Sequence, residues 1–385
     1  MDIADSFWGL LSAFLVFLGG LWAAVSVGRR FQLRRGRSMA LYIWHTLLCL
    51  TYLWYALTYG GDALGYYRRG LEGAGEFNWG TAGIDFLTSV IVQGLGLSLL
   101  GAFLFFNIFG TIGLLAFDHC LRAATQDKTR RTRRLANLII FLPSVSFWSS
   151  AIGKDSLSFM AAGLALWAAL NLGRRVVVMA AAIAVMLLVR PHMAGLMVSA
   201  LAVAALLDPK ASTGKRLVMG VAAAAVAAAM VPMALNYAGV SEGSGVGGMA
   251  DYIESRQQHN LEGGSSVDIA SMSAPAKLLT YLFRPFIFEA RSVFALAAGV
   301  ENLLLIYLLF AWARAVLRGR KSTLPSNRTF LWAYSLMAWF ILAITTANLG
   351  IALRQKWMFL PMLIFLFLSV MGRPRAQWAY QGIQR

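Results

Sequence analysis

Charged side chains are scarce in this chain, because Asp, Glu, Lys and Arg make up only 13% of its 385 residues. A soluble domain carries about 25%. Cysteine is scarcer still: Cys49 and Cys120 lie within or beside apolar stretches, so no disulfide framework is indicated. The sequence also lacks a Walker motif, a glycine-rich dinucleotide fingerprint, Cys and His at metal-ligand spacing, and a serine nucleophile elbow. These absences argue against a soluble, nucleotide-driven machine and predict no metal site.

Apolar sequence takes the place of charge, with 59% hydrophobic residues. Many runs approach or exceed the ~20 residues needed to cross a bilayer, where backbone polar groups must be satisfied within helices. The pattern therefore predicts an all-α, polytopic integral membrane protein with about 11 transmembrane helices in a single transmembrane domain. The predicted spans cover residues 8–28, 39–59, 99–119, 136–150, 157–173, 175–189, 193–207, 217–236, 292–312, 329–346 and 355–371.

Two regions do not divide simply into spans. Residues 83–117 are almost uninterrupted apolar sequence, and we interpret them as one span preceded by an interfacial segment, with a break near Gly94, Gly96 or Gly101. This gives an early outer loop over 60–98 with an interfacial helix. The polar segment 238–290 is predicted to form a long periplasmic loop, with a short polar helix over 249–258 and an amphipathic segment over 276–282. Loops of that length are usually functional or disordered.

Basic residues are divided unevenly between the two sides of this topology. Loops on one side hold 24 of the 34 lysines and arginines but only three of the 17 acidic residues. Because basic loops remain in the cytoplasm, we expect the N-terminus outside, the first span retained, and the C-terminus cytoplasmic. The inner charge then faces anionic membrane lipid. The net charge of +17 therefore needs no nucleic acid partner.

Most other charges cluster at the outer ends of predicted spans, where charge is costly and often marks a site. The first group places Asp62, Tyr66 and Tyr67 after a glycine pair that follows the second span. A carboxylate there suits a general base toward a sugar hydroxyl, and it equally suits a helix cap. The second group ends in Lys154 and Asp155. It suits a phosphate ligand or, alternatively, a capped hairpin with a snorkelling lysine.

Two further groups carry arginine beside a second basic or titratable side chain. Arg190 and His192 flank a proline between two short spans, and Arg354 and Lys356 lead into the last span. Arginine presents a rigid fork to phosphate, and histidine exchanges protons near neutral pH. The structural alternative is a proline-marked turn with cations that reach toward the interface.

The remaining group combines Arg284, Glu289 and Arg291, with Glu301 inside the following span. A buried carboxylate requires a partner or a purpose, so Glu301 is either structural or part of the site. Acids, arginines, lysines and aromatic residues thus stand at the outer ends of five loops. That composition suits an anionic, hydroxyl-rich ligand with a lipid tail.

In layout, the chain resembles the GT-C class of polytopic glycosyltransferases and the related polysaccharide polymerases of bacterial envelopes. The segments that carry the resemblance are 61–67, 143–155, 190–192, 283–289 and 348–355. It implies Asp62 as the catalytic base and a sugar donor on polyprenyl phosphate or diphosphate. The substrate- and phosphate-binding candidates are Tyr66, Tyr67, Lys154, Asp155, Arg190, His192, Arg284, Glu289, Arg291, Arg354 and Lys356.

This chain departs from the class in two ways. The acidic loop follows the second helix rather than the first, and no Asp-x-Asp or Glu-x-Asp pair is present. A metal-independent, inverting transfer without a cofactor is therefore expected, with a divalent metal left open. The expected location is the bacterial inner membrane with a periplasmic active face. Expected partners are membrane lipid, the polyprenyl-linked sugar and other envelope-synthesis proteins. A transporter or flippase of lipid-linked glycans and a non-catalytic scaffold are the alternatives.

Overall fold

The computed structural model describes residues 3–208 and 272–372 apart from residues 5, 74, 323 and 325, with scattered positions between 212 and 228. Helices form the architecture, and no strand occurs among the described residues. Those before residue 150 are α1 (Phe7–Arg30), α2 (Arg35–Tyr59), α3 (Asp62–Glu72), α4 (Thr81–Ser89), α5 (Leu99–Thr125), α6 (Arg130–Ile140) and α7 (Pro143–Ser149). Those that follow are α8 (Lys154–Ala169), α9 (Val176–Val189), α10 (Pro191–Leu206), α11 (Ala274–Phe283), α12 (Val293–Leu317), α13 (Arg328–Thr345), α14 (Leu349–Gln355) and α15 (Leu360–Val370).

Five of these helices are long and apolar enough to cross a membrane: α1, α2, α5, α12 and α13. The α14–α15 segment is bent by 63° and brings the number to six if it counts as one span. These six coincide with predicted spans. Helices α9 and α10 also match predicted spans but have 14 and 16 residues, which is short for a helix that crosses the hydrocarbon core alone.

The remaining three predicted spans do not correspond to long helices among the described residues. The span predicted over 157–173 corresponds to α8, which has 16 residues. The single span predicted over 136–150 is wrong, because α6 ends at Ile140 and α7 begins at Pro143. Proline lacks the backbone N–H that would continue a helix and starts a new one readily. The span predicted over 217–236 and the helix predicted over 249–258 lie largely or wholly outside the described residues.

The break predicted within residues 83–117 is confirmed. Helix α4 runs into a single π-turn at Val90–Gly94, and α5 begins at Leu99. Gly96 has a φ of +63°, a left-handed conformation that glycine adopts without steric cost. Gly101 lies inside α5. The amphipathic segment predicted over 276–282 is helix α11.

Helix α5 is the most enclosed of the candidate spans. In an 18-residue apolar stretch of each helix, 72% of the residues are buried in α5 and 22% in α1. The α5 side chains Phe103, Phe106 and Phe117 are fully buried. Helix α1, by contrast, leaves large apolar side chains such as Trp22 exposed. Exposed apolar surface of this kind suits contact with lipid rather than water.

Glycines set the close approach of α5 and α8. A Cβ atom on Gly163 would lie 2.6 Å from the carbonyl oxygen of Gly113, and one on Gly113 would lie 2.8 Å from the carbonyl oxygen of Phe159. Both obstacles are backbone atoms, which cannot rotate away. Small residues allow helices in an apolar solvent to pack by direct backbone contact, so this pair of glycines fixes how α8 sits on α5.

Gly163→Ala is expected to destabilise the folded protein by about 1–3 kcal/mol, because α8 must move away from α5 to admit the methyl group. The measurement is the thermal unfolding midpoint of the purified full-length chain in detergent. Gly19→Ala is the matched control, since a Cβ atom there meets nothing within 4 Å and alanine favours the helix. Equal midpoints for the two variants would contradict this account of the packing.

Candidate functional site

Four charged side chains from distant parts of the chain form one ion-pair series, which we call the aspartate–arginine network. Nη1 of Arg354 donates to Oδ2 of Asp62 at 2.9 Å, and Nε and Nη2 of the same arginine both lie 2.9 Å from Oδ2 of Asp155. Nη2 of Arg190 donates to Oδ1 of Asp155 at 2.7 Å. Negative and positive groups thus alternate, and the series joins residues that are 292 positions apart in sequence.

Local backbone features position the start of α3, which carries Asp62, and the end of α14, which carries Arg354. Gly60 has a φ of +82° and ends α2, so that α3 begins at Asp62 after a sharp turn. Gly61, the residue before α3, has no side chain to cap the helix, and the Asp62 carboxylate accepts from Arg354. At the start of α14, the Asn348 side chain caps the helix and accepts from the amides of Gly350 and Ile351. Arg354 lies in the last turn of this seven-residue helix.

The other two members lie at helix boundaries as well. Gly153 precedes α8 with a φ of +146°, and Asp155 lies in the first turn of α8, where the helix dipole favours a carboxylate. Pro191 is the first residue of α10 and leaves Arg190 between α9 and α10. Proline is well tolerated in the first turn of a helix but not in its interior. Pro191 therefore starts α10, and Arg190 lies in the break between α9 and α10.

The two carboxylates of the network have different surroundings. The Asp155 side chain is 14% exposed, whereas that of Asp62 is 63% exposed. Burial alone would raise the pKa of Asp155, but the guanidinium groups of Arg354 and Arg190 lower it below its ordinary value. Asp155 is therefore the charged anchor of the network at neutral pH. Asp62 offers the accessible carboxylate, with one oxygen used in the pair with Arg354.

Aromatic rings line the network on the side of α2 and α7, and we call them the aromatic wall: Tyr52, Tyr55, Phe147, Trp148 and Phe294. Neighbouring rings in this set have centroids 4.8–6.1 Å apart, within the range of favourable aromatic packing. The Arg354 guanidinium lies 5.8 Å from the centroid of the Trp148 ring. Charge and aromatic surface are thus adjacent at this end of the bundle.

Two buried donors near Asp155 have no hydrogen-bond partner within the described part of the chain: Nε of Arg190 and the hydroxyl of Tyr281. Buried polar groups are almost always paired in folded proteins, so such exceptions are notable. Burial raises the pKa of Tyr281, and burial together with the charge of Asp62 raises that of Tyr66. Both phenols therefore keep their proton at neutral pH and remain hydrogen-bond donors.

The loop before α12 contains a second ion pair. Arg284 contacts both carboxylate oxygens of Glu289, at 2.6 and 3.1 Å, and the amide of Phe286 donates to the same carboxylate at 2.8 Å. Burial would raise the pKa of Glu289, but these donors lower it. The pair closes a tight loop over six residues, which suits a role in ordering that loop.

Asn302 links this loop to the last bent segment. Its Nδ2 donates to the carbonyl oxygen of Pro285 at 3.0 Å, and its Oδ1 accepts from Nζ of Lys356 at 2.6 Å. Asn302 and Lys356 are 0% and 1% exposed. Lys356 stands two residues after Arg354. Asn302 therefore joins the predicted group that contains Arg284 and Glu289 to the predicted group that contains Arg354 and Lys356.

Glu301 lies buried within α12 and bridges to α7. Its carboxylate accepts from the amide of Ser144 at 2.9 Å and from the Ser144 hydroxyl. The carboxylate thus satisfies orphan groups at the start of α7. Ser144 is thus a structural partner of Glu301, and this fits the structural role rather than the site role that the sequence left open.

The other predicted residues lie around this centre. Tyr67 is buried and its hydroxyl lies 3.4 Å from the carbonyl oxygen of Leu97. Lys154 and His192 are half-buried at the starts of α8 and α10. Arg291 is exposed and forms no ion pair with any described residue. Among the described residues, no group of three or more His, Cys, Asp or Glu could hold a metal ion.

Sequence reasoning missed Tyr52, Tyr55 and Tyr281, which lie within apolar or amphipathic helices and stand out by no motif. Only helix packing brings them to the charged network. Asn302 offers a weak signal, because a polar pair with Glu301 interrupts an apolar span.

The sequence matches no protein-family model, and neither a curated protein nor a solved structure matches it significantly. The described part of the chain is all-α, with five or six candidate membrane spans and a charged site beside aromatic rings. Its function has to be argued from that site.

Proposed function

We propose that the protein is a membrane glycosyltransferase or polysaccharide polymerase that uses a sugar carried on polyprenyl phosphate or diphosphate. The observation that carries the proposal is the aspartate–arginine network itself. An accessible carboxylate, Asp62, is held by Arg354 beside a buried Asp155–Arg190 pair. Group transfer from a lipid phosphate needs a base for the incoming hydroxyl and cations for the leaving group.

In this mechanism Asp62 takes the proton of the acceptor hydroxyl. The pair with Arg354 uses Oδ2 of Asp62, so Oδ1 is available to receive that proton. The hydroxyl oxygen then attacks the anomeric carbon, a new glycosidic bond forms, and the bond from that carbon to the lipid phosphate oxygen breaks. The leaving phosphate keeps the electron pair, and the sugar inverts its configuration.

Arg354, Arg190 and Lys154 are the cations proposed for the leaving phosphate. Arg354 retains 24% exposure of its side chain while anchored on Asp155, so its guanidinium is pre-positioned and does not need to reorganise. Fixed donors of this kind stabilise charge that develops in the transition state. The partly exposed rings of the aromatic wall, Tyr55, Trp148 and Phe294, give sugar rings a stacking surface next to Arg354 and border the apolar helices along which a prenyl tail would lie.

The proposed location is a bacterial inner membrane, with the aspartate–arginine network on the periplasmic face. The support is the excess of lysine and arginine in the loops assigned to the opposite side. Envelope-synthesis proteins that supply the lipid-linked sugar or receive the polymer are the proposed partners.

A transporter of lipid-linked glycans is the second candidate, and a specific observation favours it. Glu301 and Lys356 are charged groups buried within candidate spans, and intramembrane charges often mark transport pathways. Both, however, are tied to neighbouring polar groups, Ser144 and Asn302, and this fits structural roles better.

Asp62→Asn should abolish the base and lower product formation by about 10²–10⁴-fold. The test uses cells whose only copy carries the variant. Surface polysaccharide, lipid-linked precursors and the amount of protein in membranes are measured together. Asp85→Asn is the matched control, because Asp85 also pairs with an arginine, Arg69 at 2.9 Å, but stands outside the network.

Lost polymer and accumulated precursor at normal protein level, with an unaffected Asp85→Asn control, is the expected result. Normal polymer in the Asp62→Asn cells would remove Asp62 from the mechanism. Precursor trapped on the cytoplasmic leaflet would favour the transporter.

A further inference from the structure

A cavity of about 700 Å³ opens between α6 and the last turns of α12, and no residue of the aspartate–arginine network lines it. It is lined by five arginines together with apolar side chains of both helices. We call it the arginine pocket, and its arginines are Arg131, Arg134, Arg314, Arg318 and Arg320.

The charge in the arginine pocket is uncompensated within the described chain. None of its described lining residues is acidic, and none of the five arginines appears in an ion pair with a described carboxylate. A neighbouring cavity of about 780 Å³ holds a single acid among its lining residues, Asp118, which pairs with Arg37 at 2.7 Å. Its other arginines, of which Arg134 also lines the arginine pocket, likewise form no ion pair with a described carboxylate. Five like charges around one concave surface create a strong positive potential, which selects a multiply charged anion.

The same pocket has an apolar wall that continues outward. Leu135, Leu138, Tyr307 and Ala311 line it, and Leu138 and Tyr307 are each 55% exposed. Further along α12 Phe310 is 69% exposed. Since α12 is a candidate membrane span that ends beside Arg318, the apolar surface leads from the arginines toward the hydrocarbon region.

We propose that the arginine pocket binds the phosphate headgroup of an anionic phospholipid, with the acyl chains along Leu138, Tyr307 and Phe310. The guanidinium groups form charge-assisted hydrogen bonds with phosphate oxygens, and basic pockets between membrane helices suit anionic headgroups. The apolar wall distinguishes this ligand from nucleic acid or free phosphate, neither of which would use it. The site is independent of the proposed transfer reaction.

The test measures how anionic lipid affects the full-length protein in detergent. Phosphatidylglycerol or cardiolipin is added to one sample, phosphatidylcholine to a second and inorganic phosphate to a third, and thermal unfolding and retained lipid by native mass spectrometry are recorded. Arg131→Gln/Arg314→Gln removes two charges from the pocket. Arg29→Gln/Arg30→Gln removes the same charge from exposed positions on α1 that do not line the pocket.

Anionic lipid alone should raise the unfolding temperature and be retained. The pocket variant should bind it about 30-fold more weakly, because each arginine near anionic lipid contributes roughly a five-fold change in affinity. The α1 variant should bind it like the unchanged protein. Equal loss in both double variants, no selectivity for anionic lipid, or an equal shift with inorganic phosphate would each overturn the proposal.

Discussion

Asp155→Asn should lower the free energy of unfolding by about 3–5 kcal/mol, the usual cost of removing one partner from a buried ion pair. The carboxylate lies between Arg190 and Arg354, and the side chains of the three residues are 10–24% exposed. Without its charge, two guanidinium groups face each other in a poorly solvated site. The measurement is thermal or denaturant unfolding of the purified protein in detergent near neutral pH.

The acid dependence of the unchanged protein supplies an independent check. Because the arginines lower the pKa of Asp155, its stabilising contribution is complete above the ordinary aspartate pKa of about 3.9 and is lost as the pH falls through the lower, folded-state value. The Asp85 side chain is itself 15% exposed, but its partner Arg69 is 47% exposed and stays solvated when the carboxylate is lost, so Asp85→Asn should cost about 0–1 kcal/mol. Similar losses in the two variants would mean that Asp155 is not a buried anchor.

Arg354→Lys should reduce product formation by about 10²–10³-fold, the range found when one preorganised donor to developing charge is removed. Arg354 contacts Asp62 through Nη1 and Asp155 through Nε and Nη2 at the same time. A lysine keeps the charge but offers a single ammonium, which cannot hold both carboxylates in this geometry. The measurement is polymer formation in membranes that carry equal amounts of protein.

Arg37→Lys provides the matched control for that experiment. Arg37 also binds a buried carboxylate, Asp118, in a two-pronged contact and lies 4.9 Å from the centroid of an aromatic ring, Phe141. Its ion pair is therefore similar, but it is separate from the network. A comparable loss of product in Arg37→Lys would show that the effect follows from damaged packing rather than from the candidate site.

Apolar periodicity was informative where a helix could be long and continuous. The predicted spans over 8–28, 39–59, 99–119, 292–312 and 329–346 each fall on a long helix, because twenty apolar residues in a row satisfy their backbone only as a helix in an apolar solvent. The break before Leu99 was predictable because Gly94 and Gly96 allow backbone conformations that end a helix. The span predicted over 136–150 failed because hydropathy averages over a window and gives little weight to Pro143.

The candidate site shows the same division. Clusters of charge beside apolar runs drew attention to Asp62, Asp155, Arg190 and Arg354, since charge near hydrocarbon is costly and rare. The same pattern also drew attention to Arg284, Glu289 and Arg291, which lie outside the network. The pairing within the network was not predictable. Asp62 and Arg354 are separated by 292 positions, and a one-dimensional pattern carries no information on which loop meets which.

The sequence by itself determined that the chain is helical, apolar and strongly basic, because composition and local periodicity depend only on neighbours along the chain. Tertiary structure alone decided that two arginines share Asp155, that an asparagine joins Pro285 to Lys356, and that five arginines surround one cavity. Those contacts depend on helix packing, which close approach at positions such as Gly113 and Gly163 sets in three dimensions.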